Sequence, residues 1–151
     1  DPIADEILQE IEQNPAMLSV GFQNDVRPYL AISQALAFPS YREGFPNVPM
    51  QAGCLGLPSI VSDINGCNEI IQHGENGLIV PPKSMEKLYE AMLTFLTDKE
   101  CFAGMQAQAR QLIVDRYEQT HFWELLLQEY KSHLGLMDDE HKTLSTKIPT
   151  G

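Results

Sequence analysis

Short apolar runs of strand length alternate with stretches of helical period along the first half of this chain, and that alternation constrains the fold more than any other feature. Leu18-Ser19-Val20-Gly21-Phe22, Ala35-Leu36-Ala37-Phe38, Ser59-Ile60-Val61-Ser62 and Leu78-Ile79-Val80 each read as a strand. Turn residues close them: Gln23-Asn24-Asp25, Pro39-Ser40, the turn at 63–66 and Pro81-Pro82. Between them, Ile3, Ile7, Leu8 and Ile11 predict a helix over residues 2–13, stopped by Asn14-Pro15. Further helices are expected over 26–34, with Asp25 as the cap, over 47–54 with Gly53 and Gly56 at a crowded end, and over 68–71. Strands in series with helices predict an α/β fold, a Rossmann-like parallel sheet with helices on both faces.

The remainder reads as a helical C-terminal region. Met85, Leu88, Tyr89, Met92, Leu93 and Leu96 make one stripe, Phe102, Met105, Ala109 and Leu112 a second, and Phe122, Leu125, Leu126 and Tyr130 a third. The pattern fades near Leu134, so one domain over 1–134 is expected, then a polar tail over 135–151, expected to be disordered.

Composition removes several classes of function. A chain of 151 residues with 43% apolar residues can bury a real core. A net charge of −11 opposes binding to nucleic acid or to anionic lipid through this chain. No run approaches the roughly 20 apolar residues that span a bilayer, and no secretory leader is read at Asp1-Pro2-Ile3-Ala4-Asp5. Cys54, Cys67 and Cys101 are odd in number and include no Cys-x-x-Cys, so reduced thiols are expected. His73, His121, His133 and His141 lack metal-ligand spacing.

In sheets of this kind ligands sit where strands run out into helices. Two loops qualify. In Ser40-Tyr41-Arg42-Glu43-Gly44-Phe45-Pro46-Asn47 a strand ends and a helix begins at Pro46, where a missing N–H is harmless. The helix start carries unpaired N–H groups and partial positive charge, a seat for a diphosphate, and Gly44 lets a ligand approach the backbone. Arg42 is a weak candidate to assist. Glu43 could accept from sugar hydroxyls, or serve only as an acidic residue near a helix start. Gln51, eight residues later, can donate and accept, as a ribose diol requires. In the second loop Asn65-Gly66 is a turn, Cys67 or Asn68 opens a helix, and Glu69 is either a surface charge or a buried anchor.

The run from Pro39 to Pro58, with Glu43, Gly44, Phe45, Pro46, Asn47 and Gln51, resembles the signature of glycosyltransferase family 4, the "group 1" retaining enzymes of GT-B fold. Asp63-Ile64-Asn65-Gly66-Cys67-Asn68-Glu69-Ile70-Ile71 continues the resemblance, as do Gly74-Glu75-Asn76-Gly77-Leu78-Ile79-Val80-Pro81-Pro82 and, upstream, Val20-Gly21-Phe22. It covers about residues 2–134. It implies part of the C-terminal domain of a GT-B fold, which binds a UDP- or GDP-sugar donor. On this resemblance Glu43 contacts the donor sugar at the reaction centre, backbone amides around residues 44–47 hold the diphosphate, and Gln51 binds ribose. Asn65, Gly66 and Glu69 support the site.

The resemblance also implies transfer to an acceptor hydroxyl in bacterial polysaccharide or glycan biosynthesis, with no cofactor and no obligatory metal. The acceptor, a glycan or lipid-linked sugar, would be bound by an N-terminal domain outside this chain, and the chain alone is expected to be inactive. A cytoplasmic location is expected, with attachment at the inner membrane face through that other domain left open. The family has a second Glu where this chain has Gln51, which can bond a diol without charge assistance. That departure keeps a non-catalytic nucleotide-sugar-binding module in play, beside another GT-B enzyme such as an epimerase or phosphorylase.

Overall fold

The computed structural model describes residues 4–135, so Pro2, Ile3 and nearly all of the expected polar tail lie outside the described residues. In chain order the elements are α1 (Asp5–Gln13), α2 (Arg27–Ile32), β1 (Leu36–Phe38), α3 (Asn47–Cys54), β2 (Ser59–Ser62), α4 (Cys67–Ile70), β3 (Gly77–Val80), α5 (Met85–Thr97), α6 (Lys99–Tyr117) and α7 (Gln119–His133). The sheet runs β1-β2-β3, all parallel, with Leu36 opposite Ser59 and Ser59 opposite Gly77.

The two-residue period of β2 builds the core on both faces. Val61 points to one face and packs with Cys67, Ile70, Ile71 and Ile113, from α4, the turn after it and α6. Ile60 points to the other and meets Val80 and Ala91 of β3 and α5. All four residues of β2 are buried, as expected of a central strand covered on both sides. A third cluster, Leu30, Ala52 and Leu57 with Leu36, ties α2 to α3 and β1. Each fully buried aliphatic side chain contributes roughly 1.5–3 kcal/mol.

Glycine sets the end of α3. Gly56, at φ +79°, lets the N–H of Leu57 reach the carbonyl of Ala52 while its own N–H reaches Gly53, the closing pattern of a Schellman motif. Gly53 sits against Ile113, so α3 and α6 approach where any side chain would intrude. Arg110 of α6 donates to the carbonyl of Cys54 at the same end.

Four expectations need correction. Residues 18–22 form no strand; Leu18 and Phe22 are 86% and 89% exposed. A strand needs a ladder partner, and Gly21, at φ +62°, breaks the extended backbone there. The residue at the cap of α2 is Val26, whose side chain makes no capping bond, although Asp25 does accept the N–H of Arg27. On α5 the face against the sheet is Leu88, Ala91 and Phe95, leaving Met85, Tyr89 and Leu96 exposed. Small Ala91 permits the close approach, and a wide apolar stripe does not reveal which of its edges meets the sheet. The stripe on α7 is real as a pattern, but no residue of α7 is buried among the described residues.

Candidate functional site

The loop between β1 and α3 lies at the carboxyl end of the sheet, as does the turn between β2 and α4. The two loops touch. Gly66, at φ +79°, leaves no room for a Cβ, which would collide with the carbonyl of Gly44 and crowd Pro46. Glycine is required twice over here, for its backbone angle and for the approach.

Pro46 occupies the cap of α3 and Asn47 its first position. Among the described residues no side chain caps this helix, and its first turn holds no acidic residue, so its positive end is not neutralised from within. Pro49 in the third position has no N–H, so the free first-turn donors are those of Asn47 and Val48. The carboxylate of Glu43 does not cap α3. Its Oε1 accepts from Ser40 Oγ at 2.7 Å, which orients a half-buried carboxylate inside the loop. Burial pushes the Cys67 thiol up, and the nearby charge of Glu43 adds to that shift, which sets Glu43 near the start of α4. Arg42 is exposed and makes no salt bridge among the described residues.

Glu69 is exposed, and its Oε1 accepts the N–H of Gly66 at 3.3 Å, holding the second turn closed. Asn65 is exposed within that turn. Asn68 donates to Asp63 at 3.0 Å, and the N–H of Asp63 ties the turn to Val80 of β3 at 2.8 Å.

Gln51 faces a different space, a cavity of about 420 Å³ that it lines with Asn24, Asp25, Val26 and Arg27. The Arg27 guanidinium hydrogen-bonded to Asp25 holds its carboxyl down to about 2, so an ion pair forms part of the wall. The Gln23-Asn24-Asp25 turn reads in the sequence only as the end of a strand, and nothing in its residue types signals a cavity wall.

Tyr117 escapes sequence reasoning altogether. It sits at the last position of α6, its ring edge-on to Phe45 at 5.5 Å, and its hydroxyl donates to the carbonyl of Glu69 at 3.0 Å. One side chain thus braces both loops. Arg116 stacks on its ring at 5.1 Å.

The arrangement offers free N–H groups at a helix start, an oriented carboxylate beside them and a polar cavity along the same helix. These suit an anion, a polyol and a planar polar group in sequence.

Comparison with known proteins identifies the family and the fold. Residues 2–98 match the family model described as "Glycosyl transferases group 1". Among curated proteins, the chain is 24% identical over 124 residues to the capsular polysaccharide biosynthesis glycosyltransferase CapM of Staphylococcus aureus, covering 82% of this chain and 33% of that protein. It is 30% identical over 101 residues to the Escherichia coli UDP-Gal:alpha-D-GlcNAc-diphosphoundecaprenol alpha-1,3-galactosyltransferase, covering 67% of this chain and 26% of that one. The chain therefore spans about a third or less of the length of these relatives. Among solved structures, Anabaena Alr3699/HepE in complex with UDP superposes with a TM-score of 0.78 at 22% identity, over 85% of this chain and 36% of that one. At that identity the likeness establishes the fold.

Proposed function

The chain belongs to the group 1 family of glycosyl transferases, and from that premise we propose that it forms the donor side of a retaining enzyme that moves a sugar from a nucleoside diphosphate to an acceptor hydroxyl. The observation that carries the reading is the placement of Glu43, the unneutralised start of α3 and the Gln51 cavity along one loop and one helix. The diphosphate rests on the N–H groups of Asn47 and Val48, which stabilise the charge that grows on it as the glycosidic bond breaks. Glu43, held by Ser40, accepts from the sugar hydroxyls and favours positive charge on the ring. Gln51 bonds the ribose diol, and the base lies toward Asn24 and the Asp25–Arg27 pair.

UDP in the HepE complex and UDP-Gal in the name of the Escherichia coli relative support a uridine donor. The diphosphoundecaprenol-linked acceptor in that name supports a lipid-linked glycan as acceptor; in this reading a further part of a longer protein binds it, at the inner membrane face. No helix among the described residues is long and apolar enough to cross a membrane.

The test uses the complete protein. Glu43→Gln should lower transfer by about a hundredfold or more, the scale of losing one charge-stabilising group, while UDP still binds by calorimetry. Near-native turnover refutes the role of Glu43, and an inverted anomer in the product refutes retention. Gln51, where the family carries Glu, favours a second reading as a non-catalytic donor-binding module. Transfer that is absent in the native protein and restored by Gln51→Glu would select that reading.

A further inference from the structure

One face of α6 carries Ala109, Ile113 and Tyr117 in a row, each about a turn beyond the last. Ala109 and Ile113 are buried, and both lie against Gly53 of α3, where a Cβ would strike Ile113 and come within 3.5 Å of the Ala109 carbonyl. Tyr117 ends the row half-buried, packed on the cluster of Val61, Cys67, Ile70 and Ile71 that Ile113 also joins. One helix of 19 residues thus fixes the body of α3 and, through Tyr117, reaches the loop ahead of it.

From Tyr117 the contacts close into a ring. Its ring meets Phe45 edge-on at 5.5 Å, and its hydroxyl donates to the Glu69 carbonyl at 3.0 Å. The Glu69 carboxylate accepts the N–H of Gly66 at 3.3 Å. Gly66 in turn stands against the Gly44 carbonyl and the Pro46 ring, the residues on either side of Phe45. The run Gly44-Phe45-Pro46 is therefore held by Tyr117 on one side and by Gly66 on the other. Beyond Gly44 the space is open, since a Cβ there would meet nothing within 4 Å. A segment held on two sides and open on a third is positioned for a visitor. Glu43 precedes this run directly. Its tether to Ser40 belongs to the same loop, so it orients the carboxylate without fixing the loop against α3. The ring through Tyr117 supplies that second constraint.

We propose that Tyr117 is a positioning residue for sugar transfer, holding the Glu43 loop against the start of α3 through Phe45 on one side and through Glu69 and Gly66 on the other. This rests on the donor reading above. In that reading UDP is seated by the N–H groups of α3 and by Gln51, which Tyr117 does not touch. Tyr117 governs where Glu43 stands relative to the seated diphosphate, and a misplacement of about 1 Å in such a geometry can cost up to about a hundredfold in rate. It acts on turnover more than on UDP affinity.

The experiment follows nucleoside diphosphate release by the complete protein from a panel of UDP- and GDP-sugars, with calorimetry of UDP alongside. Tyr117→Phe keeps the ring and removes the hydroxyl; it should lower kcat about fivefold, the scale of one net hydrogen bond, with the UDP Kd changed by less than about twofold. Tyr117→Leu removes the aromatic contact as well and should lower kcat further. Glu69→Ala breaks the same path at its next contact, so the double variant with Tyr117→Phe should lose no more than the worse single. Asn76→Ala, a lesion at the opposite end of the sheet, should keep native kcat below its melting temperature although it is the less stable protein. Native kcat in Tyr117→Phe, losses that multiply in the double variant, or an equal loss in Asn76→Ala overturns the proposal. Glu43→Gln separates the two failures. Inactive Glu43→Gln beside fully active Tyr117→Phe sinks the positioning role alone. Near-native Glu43→Gln, or a native protein that turns over no sugar of the panel, sinks the donor reading and this proposal with it.

Discussion

Asn76 and Ser59 are buried polar residues with opposite bookkeeping. Asn76 is 1% exposed and fully engaged: its Oδ1 accepts the N–H of Gln72 at 2.7 Å and its Nδ2 donates to the carbonyl of Ile70 at 3.2 Å. Together they fasten the turn that leads from α4 into β3. Asn76→Ala leaves both backbone groups unsatisfied and should cost about 2–3 kcal/mol, read as a lower urea midpoint with unchanged slope. Ser59 is fully buried and its Oγ has no partner among the described residues. Ser59→Ala should therefore leave stability unchanged or raise it by up to roughly 1 kcal/mol; a loss on the scale of Asn76→Ala would mean that an ordered water satisfies Ser59. In the sequence Asn76 looks like any turn asparagine, and a serine that starts a strand carries no mark of an unmet hydroxyl. Residue type reveals the capacity to bond, and only the fold reveals whether a partner arrives.

At the scale of elements, legibility follows sequence distance. The bounds of α3 can be read residue for residue because both ends are set locally, by Pro46 before it and the left-handed Gly56 after it. β2 is equally plain from four consecutive residues of strand type. The Tyr117 brace is invisible, because its hydroxyl reaches a carbonyl 48 residues earlier in the chain. Two predictions belong here. Gly66→Ala should be destabilising by more than the roughly 1–2 kcal/mol cost of a left-handed residue alone, since its Cβ also strikes the Gly44 carbonyl. It should weaken UDP binding with it, because the loop displaced is the one that meets α3; a variant of native stability would show that the two loops can part freely. Burial raises the pKa of Tyr117 above its ordinary 10.0, with Arg116 opposing and Glu69 adding to the rise. The unfolded chain then loses this proton before the folded one does. The stabilisation is whole below pH 10 and falls as pH climbs from there through the raised folded value. Tyr117→Phe should flatten that alkaline decline relative to the native protein in urea titrations at pH 9 to about 11, with little change in slope if the tyrosine is not responsible.

Over the whole molecule, apolar surface is unevenly covered, and this explains where pattern reading fails. Periodicity marks apolar stripes on α5 and α7, yet Met92, Leu96, Phe122 and Leu125 of those stripes are all exposed. A stripe records what a helix can bury, and burial depends on a facing element. The same asymmetry marks the sheet. Among the described residues β2 is paired on both sides, whereas β1 has a ladder on one side only, and its open flank borders a cavity of about 460 Å³ lined in part by Ile32, Leu36, Met92 and Leu96. In a parallel ladder alternate N–H groups point to alternate sides. The N–H of Leu36 bonds to Pro58, so that of Ala37 points to the open flank. Hydrogen exchange on this chain should find Ala37 among the fastest amides of the sheet, and Ile60 and Val61, covered on both faces, among the slowest. Protection of Ala37 equal to that of Ile60 at low protein concentration would contradict the open edge. Protection that appears only as concentration rises would show a second chain adding its strand there, the known hazard of an apolar edge without a partner.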